Sequence, residues 1–387
     1  MADLPPDTLP LGFNVSMGNF GGYLWTSAER EGRIKPGPGP YFTRRVYPSR
    51  TPRLRRDVLA DGVPRRTAAK WDSPNRSILL PPAVQSATSL PEGHRLGPDG
   101  WSGDAPSPYQ WDILTRLRAH WLLAQECVGA GWCALASHGL PYWADSERVV
   151  LLSRTLRHNS TTPYGASFRE LTPNTPTVAV DPAFPDLHVV DVATAAAQCL
   201  ATIHAGKKTW WVPTVPDMMD REVRSVQLID ALYQCSYLTA VGLQEAAHHI
   251  VDRNRVEQLL TCCDTGAQSP METIMRLIVR DELPTGHDWT SQVTISLDNG
   301  TVVDGQSFHT NRTTPDLACT TLKVALYYDG RHHRTESQME TDFRLYQRLK
   351  VLGWEAVRIN KDLLRDLDEM LEQVRYAIRL GQRWLDE

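Results

Sequence analysis

The sequence predicts an α/β (α+β) protein that ends in a mixed sheet flanked by helices. Three observations carry this. The 387 residues are 41% hydrophobic and 22% charged, a globular composition with chain enough for two or three domains. The first hundred residues are crowded with Pro and Gly, whereas the chain after Tyr109 shows helical and strand periodicities. Residues 264–387 read helix, strand, strand, strand, helix, strand, helix, an order that folds as a sheet covered by helices. The expected layout is a Pro/Arg-rich irregular arm over 1–107, a mixed α/β middle domain over 108–263 and a C-terminal domain over 264–387.

In the arm, Pro5-Pro6, Lys35-Pro36-Gly37-Pro38-Gly39-Pro40 and Leu80-Pro81-Pro82 forbid long helices. Recurrent aromatic residues such as Trp25, Tyr41, Tyr47 and Trp71 argue against a purely disordered tail, so short strands draped over another surface are expected. From Tyr109, the apolar spacing of Trp111, Leu114, Leu117, Trp121 and Leu122 predicts an amphipathic helix. A second helix over Cys133–Ser137 is stopped by Gly139 and Pro141. Short β-branched runs over 149–152, 177–180 and 187–190 read as strands, and Asp191 is placed to cap a helix over 192–200. Helices over 220–234 and 241–251 follow, the second extending into 254–262.

The C-terminal grammar is the clearest. Ser269-Pro270-Met271-Glu272 opens a helix with Met271, Ile274, Met275 and Ile278 on one face. The run Gln292–Leu297 alternates with period two, Asp298-Asn299-Gly300 turns, and Thr301-Val302-Val303 runs back. A strand over 322–328 ends at Asp329-Gly330. A helix over 337–352 leads through Gly353 to a strand over 355–359, and Leu363, Leu364, Leu367, Met370, Leu371, Val374 and Ile378 mark the final helix.

No apolar stretch reaches the ~18 residues that span a bilayer, and the N-terminal residues lack a secretory pattern, so no membrane contact and a cytoplasmic location are expected. Seven cysteines in irregular spacing, with no C-x-x-C pair, argue against a disulfide framework or a structural zinc site. His138, His248 and His249 lack partners at ligand spacing and read as structural. The formal net charge of −4 hides an asymmetry: residues 1–107 are net basic and the other two segments net acidic. Eight arginines fall within 23 positions, Arg44, Arg45, Arg50, Arg53, Arg55, Arg56, Arg65 and Arg66, opposed only by Asp57 and Asp61. Arginine forks suit phosphate, and interleaved Tyr or Phe can stack on bases. Arg44, Arg45, Arg53, Arg55 and Arg56 are therefore candidate nucleic-acid contacts. The competing reading ties the arm to acidic groups of its own chain.

Glu272 on a helix, Asp316 after Pro315 and Asp329 at a strand end could together serve a hard divalent ion such as Mg²⁺, which takes one or two carboxylates plus water and phosphate. His332 and His333 could add a proton donor or phosphate contact. The plain alternative is a helix-terminal Glu272 and a turn Asp329.

The ordered set Ser269-Pro270-Met271-Glu272-Thr273, Pro315-Asp316-Leu317-Ala318, Tyr328-Asp329-Gly330-Arg331-His332-His333, Asp342 with Arg344, and Leu352-Gly353-Trp354-Glu355-Ala356-Val357-Arg358-Ile359 resembles a restriction-endonuclease-like family, PD-(D/E)XK, related to the very short patch repair endonucleases. The resemblance covers about residues 264–365. It implies a Mg²⁺-dependent DNA-cleaving site lined by Glu272, Asp316, Asp329 and His333, with Asp316 and Asp329 as metal ligands. It departs at Tyr327, which stands where the family carries an acid; a phenol ionises near pH ~10 and does not replace a charged ligand. Three functions follow as expectations: a Mg²⁺-dependent endonuclease acting on DNA, a catalytically inactive nuclease-fold DNA-binding or regulatory protein, or a toxin–antitoxin-type component engaging a protein partner.

Overall fold

The computed structural model describes residues 49–82, 109, 111–156, 165–248, 250–303, 311–329, 336–360 and 362–386. All lie within one compact unit, residues 39–387. The architecture is mixed α/β, with mixed and antiparallel sheets flanked by helices.

Residues 49–82 hold more order than an irregular arm. Strands β1 (Arg53–Leu54), β2 (Asp72–Asn75) and β3 (Ile78–Leu80) form an antiparallel sheet in the order β1-β3-β2, with helices α1 (Arg55–Ala60) and α2 (Arg65–Ala68) between β1 and β2. Pro64 stands at the N-cap of α2, so the prolines shorten helices here without abolishing them. Val58, Ala68 and Leu79 make a small core of their own. The unit is fastened to the next helix, α3 (Ile113–Trp121): the Arg118 guanidinium donates to the Arg50 carbonyl at 2.8 Å, and the Ser49 hydroxyl donates to Asp112 at 2.6 Å.

The middle of the chain carries a five-stranded sheet, β6-β5-β4-β8-β7, from β4 (Val128–Ala130), β5 (Val150–Ser153), β6 (Ser167–Glu170), β7 (Thr177–Ala179) and β8 (His188–Val190). With it pack α4 (Trp132–Ser137), α5 (Val192–His204), α6 (Asp220–Cys235), α7 (Ala240–Ala247) and α8 (Arg253–Thr261). Asp191 caps α5 by accepting from Thr194 N–H at 2.9 Å, as its position suggested. The helix expected to run from 241 to 262 is two, α7 and α8, because Asp252 starts a fresh helix by accepting from Arg255 N–H at 2.9 Å. His138 is structural, holding the Val190 carbonyl at 2.8 Å, and all seven cysteines are free.

In the C-terminal third, α9 (Pro270–Val279) precedes a four-stranded sheet in the order β15-β14-β13-β9: β9 (Thr290–Ser291), β13 (Leu317–Cys319), β14 (Val324–Asp329) and β15 (Glu355–Asn360). β9, β13 and β14 run antiparallel, and β15 lies parallel to β14 after the crossover helix α10 (Glu336–Val351). A second small sheet, β11-β10-β12, is inserted between β9 and β13; it comprises β10 (Thr294–Ser296), β11 (Val302–Val303) and β12 (Arg312–Thr313). Gly300 makes the β10–β11 turn at φ +75°, and Trp354 Nε1–H donates to its carbonyl at 2.9 Å. Val324, Leu326, Val357 and Ile359 share one apolar cluster with Ile274 and Ile278 of α9 and with Met370, Val374 and Ile378 of the last helix, α11 (Leu367–Asp386). Ala325 and Tyr327, on the alternate side of β14, pack with Leu345 and Leu349 of α10.

The larger cluster runs without a break from Ile113 to Ile378, so the middle and C-terminal segments share one core. Buried Asp230 on α6 reinforces this junction by accepting from Arg276 at 2.8 Å and Thr273 at 2.9 Å, both on α9. Among the described residues no helix is long and apolar enough to cross a membrane.

Candidate functional site

The four-stranded sheet aligns its strand ends by register. Leu317 pairs with both Ser291 and Leu326, so Gln292, Asp316 and Tyr327 come next on three neighbouring strands, and Tyr327 pairs onward with Arg358. Neighbouring strands lie about 4.8 Å apart. Glu272 approaches this row from the first turn of α9.

Helix α9 starts where its sequence says it should. Ser269 caps it by accepting from Glu272 N–H at 3.3 Å, and Pro270 occupies the first turn. Glu272 Oε2 reaches back to accept from Gln268 N–H at 2.8 Å and also accepts from Gln292 Nε2 at 3.3 Å. This part of its role is helix capping. Oε1 makes no hydrogen bond among the described residues. The Glu272 carboxyl is pushed up to about 7, first by burial and then by the neighbouring charge of Asp316.

Asp316 Oδ2 accepts from Tyr328 N–H at 2.6 Å, and the Asp316 backbone carbonyl accepts from Gln292 N–H at 3.3 Å. Burial raises this carboxyl despite the Tyr328 bond. Among the described residues neither Glu272 nor Asp316 is in an ion pair. The two partly buried carboxyls lie near enough for the charge of Asp316 to raise Glu272, and among the described residues no cationic side chain pairs with either.

Tyr327 follows Leu326 on β14, beside Asp316 on β13. Its hydroxyl lies 3.1 Å from Thr313 Oγ1, and its ring meets Tyr346 of α10 edge-on at 5.8 Å. Burial foremost pushes the phenol up to about 12, so it stays neutral. Asp329, two residues on, is ion-paired to Arg358 of the parallel neighbour β15, and it does not enter the hydrogen bonds of the Glu272–Asp316 pair. His333, with His332, lies outside the described residues. Lys323 sits in the left-handed turn that opens β14, four residues before Tyr327 and so roughly 13 Å along the strand, away from the carboxylates.

The residue missed from sequence is Gln292, which the alternating pattern places inside a strand. Instead it is the corner where the chain leaves β9 for the second sheet, at φ +56°; its side chain donates to Glu272 at 3.3 Å and its backbone N–H to the Asp316 carbonyl at 3.3 Å. No local pattern marks it; only the pairing of β9 with β13 brings it to the site.

Of the arginine candidates, Arg44 and Arg45 lie outside the described residues. Arg53 pairs with Asp61, Arg55 donates to the Arg76 carbonyl at 2.8 Å, and Arg56 pairs with Asp57 at 3.3 Å while its side chain stays 80% exposed. Arg55, Arg56 and Arg76 rim an open groove floored by Leu54, Leu59 and Leu122. Part of the arm's charge is therefore held locally, and part is exposed to solvent.

No family model, curated protein or solved structure matches the chain.

Proposed function

We propose that this chain is a DNA-associated protein whose residues 264–387 form a restriction-endonuclease-like module, with Glu272 and Asp316 as its phosphodiester-hydrolysing centre. The observation that carries the reading is the uncompensated carboxylate pair at the end of a sheet of three antiparallel strands and a parallel fourth. A helix before the first strand and a crossover helix before the last support this reading.

The donor chemistry fits Mg²⁺. The pair supplies hard oxygen ligands, and one or two carboxylates is the usual protein share of such a site. Glu272 and Asp316 would hold the ion; when bound it supplies an activated water and offsets charge on the phosphate. The chain's own groups do the rest. Tyr328 N–H and Gln268 N–H fix the two carboxylates. Because a ligand carboxyl must be deprotonated, Glu272, with its carboxyl near 7, would give up its proton as the ion binds. Arg358 holds Asp329 on the same strand face. The exposed arginines of residues 49–82 would bind phosphates.

Plasmid DNA incubated with Mg²⁺ or Mn²⁺ tests this reading: nicking is expected, and it disappears in Asp316→Asn. Tyr327 favours a second reading, a nuclease fold that binds DNA without cutting it. A neutral phenol bonded to Thr313 leaves the site one acid short. Under that reading the wild-type chain binds DNA without nicking it, and Tyr327→Glu gains cleavage.

A further inference from the structure

The last helix, α11, has two unlike faces. Met370, Val374, Ala377 and Ile378 are buried in the shared core. A helix turns about 100° per residue, so the opposite face carries Glu369, Glu372, Tyr376, Arg379, Leu380 and Arg383, all within roughly 100° of one another. The outer face of a core-packed helix is ordinarily polar. Here Tyr376 at its centre is 57% exposed, Leu380 follows one turn on, and Trp384, 59% exposed, follows a turn beyond. A single exposed apolar side chain is commonplace, but three at successive four-residue steps make a stripe. The charges around it are ordered. Glu369 and Glu372 precede Tyr376, and Arg379 and Arg383 follow it. The helix dipole favours acids in the first turn and bases in the last, which does not account for Glu372 or Arg379 in between. Glu369 accepts from Gln373 of the same helix at 2.7 Å, and the Arg379 guanidinium lies 5.7 Å from the Tyr376 ring centre. Among the described residues Glu372, Arg379 and Arg383 are in no ion pair. Arg375, by contrast, is committed to Glu282 by bonds of 2.6 and 2.8 Å.

Acid before and base after a central aromatic is a self-complementary arrangement. A two-fold axis at Tyr376 lays two α11 helices antiparallel. Glu369 then meets Arg383 of the other copy, seven positions from the axis on each side. Glu372 meets Arg379 with an offset of one residue, about 1.5 Å along the helix, which both side chains span. Each pair occurs twice. Parallel pairing would set like charge on like, and a polyanion at the arginines would meet Glu369 and Glu372 as well. We propose that this face of α11 binds a second copy of this chain, antiparallel about Tyr376. Exposed ion pairs add little affinity each. Tyr376, Leu380 and Trp384 therefore supply most of the binding, and the charges select the partner and its register.

Sedimentation equilibrium of the full chain over a concentration series tests this with two charge-reversed proteins, Glu369→Arg/Glu372→Arg and Arg379→Glu/Arg383→Glu. Wild type is expected to reach twice the chain mass. Each variant alone sets like charges against each other and is expected to associate roughly a hundredfold more weakly. An equal mixture of the two is expected to recover the double mass, because each then meets its opposite. Tyr376→Asp, which places acid on acid at the axis, is expected to stay single and decides the matter if thermal melts show a reversed protein unfolded. A wild type that stays single, variants that associate as wild type does, or a mixture that stays single would each overturn the proposal. A single wild type whose DNA binding is lost in Arg379→Glu/Arg383→Glu would assign the face to nucleic acid instead.

Discussion

Replacing Glu272 with glutamine should make the protein more stable above neutral pH. The Glu272 carboxyl moves from an ordinary 4.5 to about 7 in the folded chain. A raised acid binds its proton more tightly folded than unfolded, so between these values the folded state carries the extra proton. Stability therefore falls as pH rises from about 4.5 to about 7, and the whole penalty persists above that window. A shift of this size corresponds to on the order of 3 kcal/mol. Glu272→Gln removes the charge and keeps an oxygen for Gln268 N–H, but it weakens the bond from Gln292, an offset of about 1 kcal/mol. The expected net gain is about 2 kcal/mol at pH 8, which is a rise of a few degrees in melting temperature, and little or none at pH 5. Thermal melts of both proteins across pH 5–8, in chelator-treated buffer, read this directly. A variant less stable than wild type at pH 8, with the same slope against pH, would refute the reasoning and leave Glu272 as a helix-capping residue only.

Four further outcomes follow from the same interactions. Mg²⁺ should raise the melting temperature of wild type at pH 8 and leave Asp316→Asn unmoved; equal shifts would place the ion elsewhere. Tyr327→Glu should lower stability by about 2–4 kcal/mol without cation, because it loses the Thr313 bond and the Tyr346 ring packing and adds a third buried acid, and Mn²⁺ should recover most of that loss. Arg276→Ala should destabilise the chain by about 3–5 kcal/mol in denaturant melts, since it strands the buried Asp230 carboxylate between α6 and α9. Neutralising Arg55 and Arg56 to glutamine should weaken DNA binding and reduce the slope of log affinity against log salt by about one for each phosphate no longer neutralised, with an unchanged slope counting against the arm as a DNA-binding element.

Signals confined to a few adjacent residues are readable from sequence. Asp191 and Ser269 announce their helices because capping is local, and Asn299-Gly300 announces its turn for the same reason. Elements of two or three residues, such as β9, β12 and β13, are not readable, because period two cannot be seen over so short a run. The Gln292–Leu297 run shows the consequence: its alternation suits a strand, yet its first residue is a left-handed corner and its remainder joins another sheet. Residues 49–82 look irregular because Pro and Arg dominate their composition, but four- and six-residue helices fit between the prolines. At the site, Glu272 and Asp316 are both legible as candidates, and the charge of Asp316 reaches Glu272. Strand position groups Asp329 with them, but the parallel register of β15, which sequence does not reveal, gives it Arg358 as a partner.

The central claim is that Glu272 and Asp316 form a divalent-cation site within a nuclease-like frame. Calorimetric titration of the intact chain with Mn²⁺ at pH 8 tests it most directly. The account predicts one binding event per chain that vanishes in Asp316→Asn, while no binding, or binding that survives Asp316→Asn unchanged, would contradict it.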